Sequence, residues 1–389
     1  MPTFSQKGGA TMFKSYKVRL YPTKEQEQRM WQHIGACRYI WNYMLDLQEK
    51  RFRNGEKHLK RFDMINLMPS IKNEEQHNWL KNVSSQSLNI ICTDLSKAYD
   101  LFYKKIAKCP KFKSKKKSKQ TYPLKNDRAW FDGKYAHIQV IGKVRYKADI
   151  NLPLNRGNKF INPRIVRYNN KWILKFLVEC ENQTPILTDK PMGIDLGVKE
   201  TMTVAYGDEC IVFHNINKSK TIQLLEKNRK HLERSISRKY EANKQGDQFI
   251  KTNNIIRLEN KLRKMYARLT NIRHNYIHQC THKLVSLRPC KIVMEDLNIQ
   301  GMLKNRHLAK AVQDQCFFII IQQMKYKCEW NNIPFYQVDR FYPSSKTCSC
   351  CGCIKSDLKL SDRTYVCSEC GLVIDRDLNA AINLQRYTA

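Results

Sequence analysis

Six of the fifteen cysteines fall within the interval Cys348–Cys370, and this cluster constrains the fold more than any other feature of the chain. Two Cys-x-x-Cys pairs, Cys348 with Cys351 and Cys367 with Cys370, are separated by 15 residues, which is a zinc-ribbon spacing. A glycine directly follows each pair, where a tight turn uses a positive φ. We therefore predict that these four cysteines bind one structural Zn²⁺, because four thiolates leave no position open for a substrate.

Two further cysteines, Cys350 and Cys353, form an overlapping Cys-x-x-Cys pair inside this cluster. Ile354 follows that pair where a glycine follows the other two, so we treat Cys350 and Cys353 as spare thiols. The other nine cysteines are scattered singly, and several lie in apolar periodic segments. Such a distribution is typical of the reduced cysteines of a cytosolic protein, so we expect a cytoplasmic location.

The chain also carries a large excess of basic side chains. Its 389 residues include 70 Lys and Arg against 35 Asp and Glu, which gives a net charge of +35 and an isoelectric point near 9.7. Such an excess favours a polyanionic partner, through the release of counterions from a phosphate backbone. The apolar run Cys316–Ile321 is far shorter than the about 18 residues of a membrane span, and the N-terminus lacks the apolar segment of a signal peptide. We therefore expect neither a membrane partner nor secretion.

Three acidic residues lie in contexts that suggest a nuclease. Asp195 and Glu295 each end an apolar run typical of a buried strand, and Asp377 lies at the start of the last helical segment. Cleavage of a phosphodiester by two metal ions needs carboxylates from separate elements, and Mg²⁺ and Mn²⁺ prefer such oxygen ligands. We predict that Asp195, Glu295 and Asp377 are catalytic and bind Mg²⁺ or Mn²⁺.

The alternative is that each acid only caps an element, since Asp is a common first residue before a helix. That alternative is the better one for Asp375 or Asp377 taken alone. The three acids lie 100 and 82 residues apart, so only the fold could bring them together. From Met192 the pattern predicts three strands, helices, a strand, a helix, a strand and a helix, which is the order of an RNase H-type mixed sheet. In that order the three acids favour catalysis over capping.

The remaining pattern divides the chain into a helical part, a β part and a C-terminal domain. Residues 13–21 alternate as a strand does, and helical periodicity follows over 23–107. Period-two alternation returns at about 137–181, with Asn169 and Asn170 as a hairpin turn, and we expect the first strand to pair with this unit. A new domain begins after Pro185. We expect residues 1–12 to be disordered.

The segment Lys108–Lys119 contains seven lysines in twelve residues. It is equally typical of a solvated flexible loop and of a mobile loop that touches the backbone of nucleic acid; a nuclear-localisation signal is less favoured. Four of its lysines are the candidates for nucleic-acid contacts: Lys111, Lys113, Lys115 and Lys116.

Taken together, these motifs resemble TnpB, the OrfB-type proteins that insertion sequences encode and that are related to type V CRISPR effectors. The N-terminal part resembles the family opening as well, and only the cysteines at 350 and 353 are unusual for the ribbon. The segments that carry the resemblance are Val18–Pro22, Gly35–Asn42, Gly193–Gly197, Glu295–Leu297, Ser344–Cys348, the two Cys-x-x-Cys-Gly units and Asp375–Ala381.

The resemblance implies an α+β multidomain fold and an RNA-guided DNA endonuclease. Residues 13–22 and 120–185 would form a β-barrel wedge domain, with a helical recognition domain, 23–119, inserted in it. Residues 186–389 would form an RNase H-like, RuvC-type nuclease domain with an inserted zinc ribbon at about 340–374. The partners would be a guide RNA derived from the transposon end and double-stranded target DNA, bound by a protein that we expect to be a monomer in the cytoplasm.

The resemblance also implies that the recognition domain helps to read a short motif beside the target. Two segments correspond to that region, 62–66 and 85–89. Their candidate nucleic-acid contacts are Phe62, Asn66, Ser85, Gln86 and Asn89.

Two other functions fit parts of the pattern. A relative that uses RNA only to bind DNA and repress transcription would be expected to lose one of the acids, and all three are present. The wide spacing of the acids does not exclude a transposase that performs strand transfer, but nothing else in the sequence favours that function. We therefore favour the nuclease.

Overall fold

The computed structural model describes residues 12–147, 160–180, 185–359 and 362–388. The chain forms two compact units, an N-terminal unit, Met1–Glu181, and a C-terminal unit, Asn182–Ala389. No helix in the described ranges is long and apolar enough to cross a membrane.

The N-terminal unit contains a seven-stranded sheet with the strand order β2-β6-β7-β1-β5-β4-β3. Strand β1 pairs antiparallel with β7 and β5, as the alternation of residues 13–21 led us to expect. At the β6–β7 hairpin both Asn169 and Asn170 have a positive φ, 47° and 60°, which confirms the predicted turn. The strands are β1 Met12–Tyr21, β2 Gln120–Pro123, β3 Ala129–Asp132, β4 Tyr135–Ile138, β5 Gly142–Lys147, β6 Ile161–Tyr168 and β7 Lys171–Cys180.

The expected disorder over residues 1–12 lies outside the described residues except at Met12. That residue is the first of β1 and pairs with Cys180, so the prediction is wrong there. An apolar side chain that is almost fully buried in a paired strand is ordered by the contacts it makes.

Helices occupy the chain between β1 and β2. Thr23 begins the first of them with a capping box: its hydroxyl accepts from the Gln26 N–H at 3.3 Å, and the Gln26 side chain accepts from the Thr23 N–H at 3.0 Å. Helix and sheet side chains share one apolar core, which includes Val18, Ile40 and Leu95. The helices are α1 Lys24–Arg53, α2 Arg61–Asn66, α3 Met68–Asn73 and α4 Ser85–Tyr103, with a 3₁₀ segment at Glu75–Asn82.

The C-terminal unit is built on a five-stranded mixed sheet with the order β10-β9-β8-β13-β14. Strands β10, β9 and β8 are antiparallel neighbours, whereas β13 runs parallel to both β8 and β14. The strands of the sheet are β8 Pro191–Asp195, β9 Glu200–Tyr206, β10 Glu209–His214, β13 Lys291–Glu295 and β14 Phe335–Val338. Two small hairpins complete the strands: β11 Lys244–Gln245 with β12 Gln248–Phe249, and β15 Thr364–Val366 with β16 Val373–Asp375.

Six helices accompany this sheet in the described residues. Cys316 has a left-handed φ of 56° and separates α8 from α9. The last helix begins at Arg376, one residue earlier than expected. The helices are α5 Lys220–Ala242, α6 Asn253–Ser286, α7 Ile299–Lys304, α8 Ala309–Gln315, α9 Phe317–Trp330 and α10 Arg376–Arg386.

Candidate active site and metal centre

The ends of two neighbouring parallel strands bring the first two acids together. Asp195 is the last residue of β8 and Glu295 is the last residue of β13. Met294 lies opposite Ile194 in the register, so the two acids follow at the same edge of the sheet. Because parallel strands in register point equivalent residues to the same face, both carboxylates leave the sheet on one side.

The third acid reaches this edge because Gly193 has no side chain. A Cβ at Gly193 would lie 2.1 Å from the Ala381 carbonyl oxygen and 2.3 Å from the Gln385 nitrogen. Only glycine therefore permits α10 to lie directly on β8. The Gln385 amide fixes this contact by donating to the Pro191 carbonyl at 3.2 Å and to the Gly207 carbonyl at 2.8 Å.

Asp377 lies in the first turn of α10, beside the loop that follows Asp195. Asp375 is the helix cap and accepts from the N–H groups of Asp377 at 2.9 Å and Leu378 at 3.1 Å. A Cβ at Gly197 would be 3.8 Å from Asp377 Oδ2, so the Asp377 carboxylate closely approaches the 196–199 loop. Capping thus belongs to Asp375, and the side chain of Asp377 extends toward the other two acids.

The electrostatics of the three acids show that their charges interact. Burial raises the pKa of Asp195 well above its usual range, and the charges of Glu295 and Asp377 raise it further. Burial also raises the pKa of Glu295, although a hydrogen bond donated by Ser344 and the charge of Arg376 act against it. For Asp377, burial and then Asp375 raise the pKa. The site is therefore short of positive charge, a condition that a bound divalent cation would relieve.

The second cluster is formed by the four predicted cysteines. Their sulfur atoms all lie within 4.8 Å of one another, with Cys348 and Cys370 at 3.6 Å and Cys351 and Cys367 at 3.6 Å. A tetrahedral Zn²⁺ with bonds of about 2.3 Å requires sulfur separations of about 3.8 Å, so the cluster has the size of a zinc site. The sequence assignment and the geometry agree that these four residues could hold one metal ion.

Two equivalent turns hold the sulfur atoms of this cluster. Gly352 and Gly371 have φ values of 78° and 71°, in the left-handed region that glycine enters without strain. Their N–H groups donate to the carbonyls of Cys348 at 3.0 Å and Cys367 at 3.2 Å. Cys350 is exposed and stands outside the four-sulfur cluster, as does the half-buried Cys353.

The cysteine cluster is fastened to the helix that carries Asp377. The side chain of Asn379 accepts from the Ser349 N–H at 2.9 Å and donates to the Thr347 carbonyl at 2.7 Å. Asn383 donates to the Ser344 carbonyl at 2.7 Å, and both asparagines are buried. Because buried amides lose free energy when a partner is removed, these contacts tie the ribbon to α10.

Family models match three successive parts of the chain. A model of the OrfB proteins of IS605, described as "Helix-turn-helix domain", matches residues 12–57. A second OrfB model of IS605, described as "Probable transposase", matches residues 175–306. The model described as "Cas12f1-like, TNB domain" matches residues 317–384, which include the cysteine cluster and Asp377.

Similar proteins extend over almost the whole chain. A protein of Streptomyces pristinaespiralis is 27% identical over 376 residues, which cover 95% of this chain and 88% of that protein. InsQ of Escherichia coli K12 is 27% identical over 389 residues, with coverages of 95% and 91%. Both carry the name "Putative RNA-guided DNA endonuclease". The resemblance to OrfB-type TnpB is confirmed.

A solved structure gives the fold of this TnpB-like chain. The Cas12f1 chain in the cryo-EM structure of a Cas12f1–sgRNA–target DNA complex superimposes with a TM-score of 0.55 at 12% identity. The match covers 96% of the TnpB-like chain and 99% of the other. The fold is therefore mixed α/β and Cas12f-like.

A glutamine that the sequence did not single out holds the loop beside the three acids. Gln315 is buried; its amide donates to the Val198 carbonyl at 2.9 Å and accepts from the Thr201 hydroxyl at 3.1 Å. It therefore ties the end of the 196–199 loop, which approaches Asp377, to the start of β9. No local pattern marks Gln315, since it is one of several glutamines on amphipathic helices. Ser344 belongs to the family segment Ser344–Cys348, and the hydrogen bond that it donates to Glu295 orients that carboxylate.

The predicted nucleic-acid contacts of the recognition segments lie on two packed helices. Phe62 is 67% exposed on α2 with the Arg61 guanidinium over its ring at 5.1 Å, and Asn66 is exposed at the end of the same helix. On α4, Ser85 is exposed and accepts from Lys72 at 2.5 Å, whereas Gln86 and Asn89 are half-buried. Helices α2 and α4 are in contact.

The lysine segment differs from the mobile loop that the sequence suggested. Lys111, Lys115 and Lys116 are exposed, but the Lys113 ammonium lies 3.3 Å from the centre of the Trp41 ring. The Trp41 ring also donates to the Lys111 carbonyl at 3.0 Å. Side-chain hydrogen bonds from α1 fix this part of the segment, which periodicity alone could not indicate.

Proposed function

We propose that this protein is an RNA-guided DNA endonuclease of an insertion sequence, which cleaves target DNA beside a short adjacent motif. The observation that carries this proposal is the convergence of Asp195, Glu295 and Asp377 from β8, β13 and α10 on one desolvated edge of the sheet. The names of the two similar proteins and the net charge of +35 support nucleic acid as the substrate.

The domain plan of the proposal follows the observed topology. Residues 13–22 and 120–185 would be the wedge β-barrel, and 23–119 the recognition domain, because the helices α1–α4 interrupt one antiparallel sheet. Residues 186–389 would be the RuvC-type nuclease domain with its ribbon at about 340–374. The order β10-β9-β8-β13-β14, antiparallel and then parallel, supports this assignment, since it is the order of RNase H-like sheets.

The three acids suit Mg²⁺ or Mn²⁺ because all their donor atoms are carboxylate oxygens and the charges of Glu295 and Asp377 add to the burial that raises the pKa of Asp195. Asp195, Glu295 and Asp377 would hold the ions. When bound, such ions would activate the attacking water and stabilise the leaving oxygen of the phosphodiester.

The chain's own residues orient this site. Ser344 donates to a Glu295 oxygen and so fixes the direction of that carboxylate. The charge of Arg376 partly offsets the burial that raises the pKa of all three acids. Gln315 holds the 196–199 loop against displacement.

The four cysteines would bind a structural Zn²⁺. Four thiolates complete a tetrahedral shell, so this ion would have no catalytic position. Its role would be to fold the ribbon and, through Asn379 and Asn383, to hold the start of α10 and hence Asp377.

The partners would be a guide RNA from the transposon end and double-stranded target DNA, bound by a monomer. Phe62, Asn66, Ser85, Gln86 and Asn89 would contact DNA beside the target, and the exposed Lys111, Lys115 and Lys116 would contact phosphates. In this division the RNA supplies sequence specificity, and the three acids supply only cleavage.

Guided cleavage is the direct test. The protein is co-expressed with RNA from the flanking transposon end, and the purified complex is given a plasmid in which a guide match lies beside a randomised flank. We expect double-strand cleavage that requires Mg²⁺, is restricted to particular flanks, and is lost in Asp195→Asn. The matched control is Asp208→Asn, which removes an exposed acid in a turn of the same unit and should cleave normally.

Two results would contradict the proposal. Tight guided binding by the unaltered protein without cleavage would support an RNA-guided repressor. Joining of a donor end to the plasmid, in place of a double-strand break, would support a strand-transfer transposase.

A further inference from the structure

A small cavity in the N-terminal unit is lined by basic side chains from three parts of the chain, α1, the lysine segment and β6. Its volume is about 40 Å³, and it lies between α1, α4, the lysine segment and β6. The four cations are Arg38, Lys113, Lys119 and Arg164, and none of the ten lining side chains is acidic. Cations collected around one cavity repel each other, so without an anion the arrangement costs free energy.

The segment that carries Lys113 is held rigidly beside α1. Asn42 makes two hydrogen bonds with the backbone of Lys113, donating to its carbonyl at 2.9 Å and accepting from its N–H at 2.8 Å. Gln120 donates to the Ser118 carbonyl at 2.8 Å and accepts from Arg38 at 3.4 Å. The cations are therefore positioned in advance, which lowers the entropy cost of binding a ligand.

The charge on Lys113 is poorly compensated. Burial lowers the pKa of Lys113 to about 8, even though Asp94 acts to raise it. Asp94 is already engaged by Arg164, which donates two hydrogen bonds to its two oxygens at 2.9 and 2.8 Å. The Trp41 ring stabilises the ammonium as a cation–π partner but carries no net charge.

The cavity has the size of one small oxyanion. One water molecule occupies about 10–15 Å³ of a cavity measured in this way. The cavity therefore holds roughly three water-sized groups, which is close to the number of oxygens of one phosphate. Ile34 and Ile91 form part of the wall and strengthen the interaction of a bound anion with the cations.

We propose that this cavity binds one phosphate of an unpaired stretch of the guide RNA, with Arg38 and Lys113 as its main ligands. The proposal rests on the RNA-guided function proposed above. A single phosphate must enter the recess of this cavity. An unpaired strand can bend so that one phosphate points inward, whereas the regular backbone of a duplex does not present a single phosphate in this way. In an RNA-guided nuclease, the guide RNA is the single-stranded polyanion that stays bound to the protein.

The first test measures the affinity of the purified full chain for guide RNA at several salt concentrations. Lys113→Met keeps the alkyl chain beside Trp41, and Arg38→Gln changes a different element. Each should weaken binding about five- to tenfold and reduce the slope of log K against log salt by about 0.7–1. Lys134→Met removes the same charge from an exposed turn of the unit and should stay within about twofold of the wild type.

Equal affinity and equal slope in Lys113→Met, Arg38→Gln and the wild type would overturn the proposal. An equal loss in Lys134→Met would also overturn it, because the effect would then be general charge loss. Circular dichroism and melting temperature establish that each variant is folded. Because RNA and DNA both carry phosphates, the assignment to RNA is tested by the relative loss: a larger loss of affinity in Lys113→Met for single-stranded DNA of the guide sequence than for guide RNA would contradict it.

The second test uses inorganic phosphate and does not depend on RNA. Phosphate, compared with chloride at equal ionic strength, should raise the melting temperature of the wild type by more than that of Lys113→Met. Equal shifts of the melting temperature in the wild type and in Lys113→Met would show that phosphate does not bind in this cavity. If the wild type bound no guide RNA but this phosphate difference remained, the RNA-guided function would fail while the oxyanion site would stand.

Discussion

The cysteine cluster takes its four ligands from 23 consecutive residues, whereas the carboxylate site takes its three acids from an interval of 183. The cluster is held by short turns in which each glycine N–H returns to the first cysteine of its pair. The carboxylate site exists only because β8 and β13 are neighbours and α10 crosses β8 at Gly193. The cysteine cluster is thus specified by the spacing of its residues along the chain, whereas the carboxylate site is specified by the packing of separate strands and helices.

The two sites also differ in how their charges are balanced without metal. In the cysteine cluster, the backbone N–H groups of Cys370 and Glu369 lower the pKa of the Cys367 thiol to about 6, whereas the pKa values of the Cys351 and Cys370 thiols are raised, so one thiolate lies beside neutral thiols. The acids are held together in a desolvated place where burial and mutual repulsion raise the pKa of Asp195. The carboxylate site therefore opposes folding when empty, and the rest of the C-terminal unit must stabilise it.

Loss of the zinc site should have the largest effect. Cys351→Ser removes one of four ligands and should reduce bound zinc from about one ion per chain to nearly none. A structural zinc contributes several kcal/mol to folding, so the melting temperature should fall by about 10 °C or more. Metal analysis and thermal unfolding measure both. Cys350→Ser is the matched control and should keep its zinc; equal losses would refute the ligand assignment.

Loss of the helix contact at Gly193 should come next. Gly193→Ala places a methyl group 2.1 Å from the Ala381 carbonyl, so α10 must move and carry Asp377 with it. We expect a loss of about 2–3 kcal/mol in the free energy of unfolding and of nearly all cleavage. Gly35→Ala, a helix position with no atom within 4 Å of the added methyl, should be neutral or slightly stabilising. Full cleavage by Gly193→Ala would show that the contact does not position Asp377.

Removal of the loop bridge should have a moderate effect. Gln315→Ala leaves the Val198 carbonyl and the Thr201 hydroxyl without this partner, at a cost of about 1–3 kcal/mol. Because the loop lies beside the acids, cleavage should slow by about tenfold while guide-RNA affinity stays unchanged. Gln313→Ala, an exposed position on the same helix, is the control. Equal rates in the two variants would reduce Gln315 to a packing role.

Neutralising one acid should stabilise the protein slightly while abolishing cleavage. The pKa of Asp195 is raised in the folded state, so its contribution to stability is present below the unfolded pKa of about 3.8 and is lost as pH rises through the folded pKa. In magnesium-free buffer, Asp195→Asn should therefore melt about 2–4 °C above the wild type at pH 8, with a smaller difference at pH 5. A lower melting temperature for the variant at pH 8 would contradict the charge repulsion.

The sequence predicted the local features best. The clustering of the four cysteines followed from spacing and the turn glycines, and the β6–β7 hairpin from two asparagines. Each depends on residues close together in the chain.

Features that depend on packing were harder to predict. The break at Cys316 has no glycine or proline to mark it. The inward side chain of Lys113 depends on Trp41 and Asn42, about 70 residues earlier. The roles of the three acids remain a prediction, which the topology makes specific by bringing them to one edge.

Manganese titration tests the central claim that the three acids form one cation site. Mn²⁺ binding to the zinc-loaded full chain is followed by electron paramagnetic resonance for the wild type and for Asp195→Asn, Glu295→Gln, Asp377→Asn and the control Asp208→Asn. We predict that each of the three acid variants binds Mn²⁺ at least about tenfold more weakly than the wild type, and that the control binds it equally well. Wild-type affinity in any one of the three would contradict the claim.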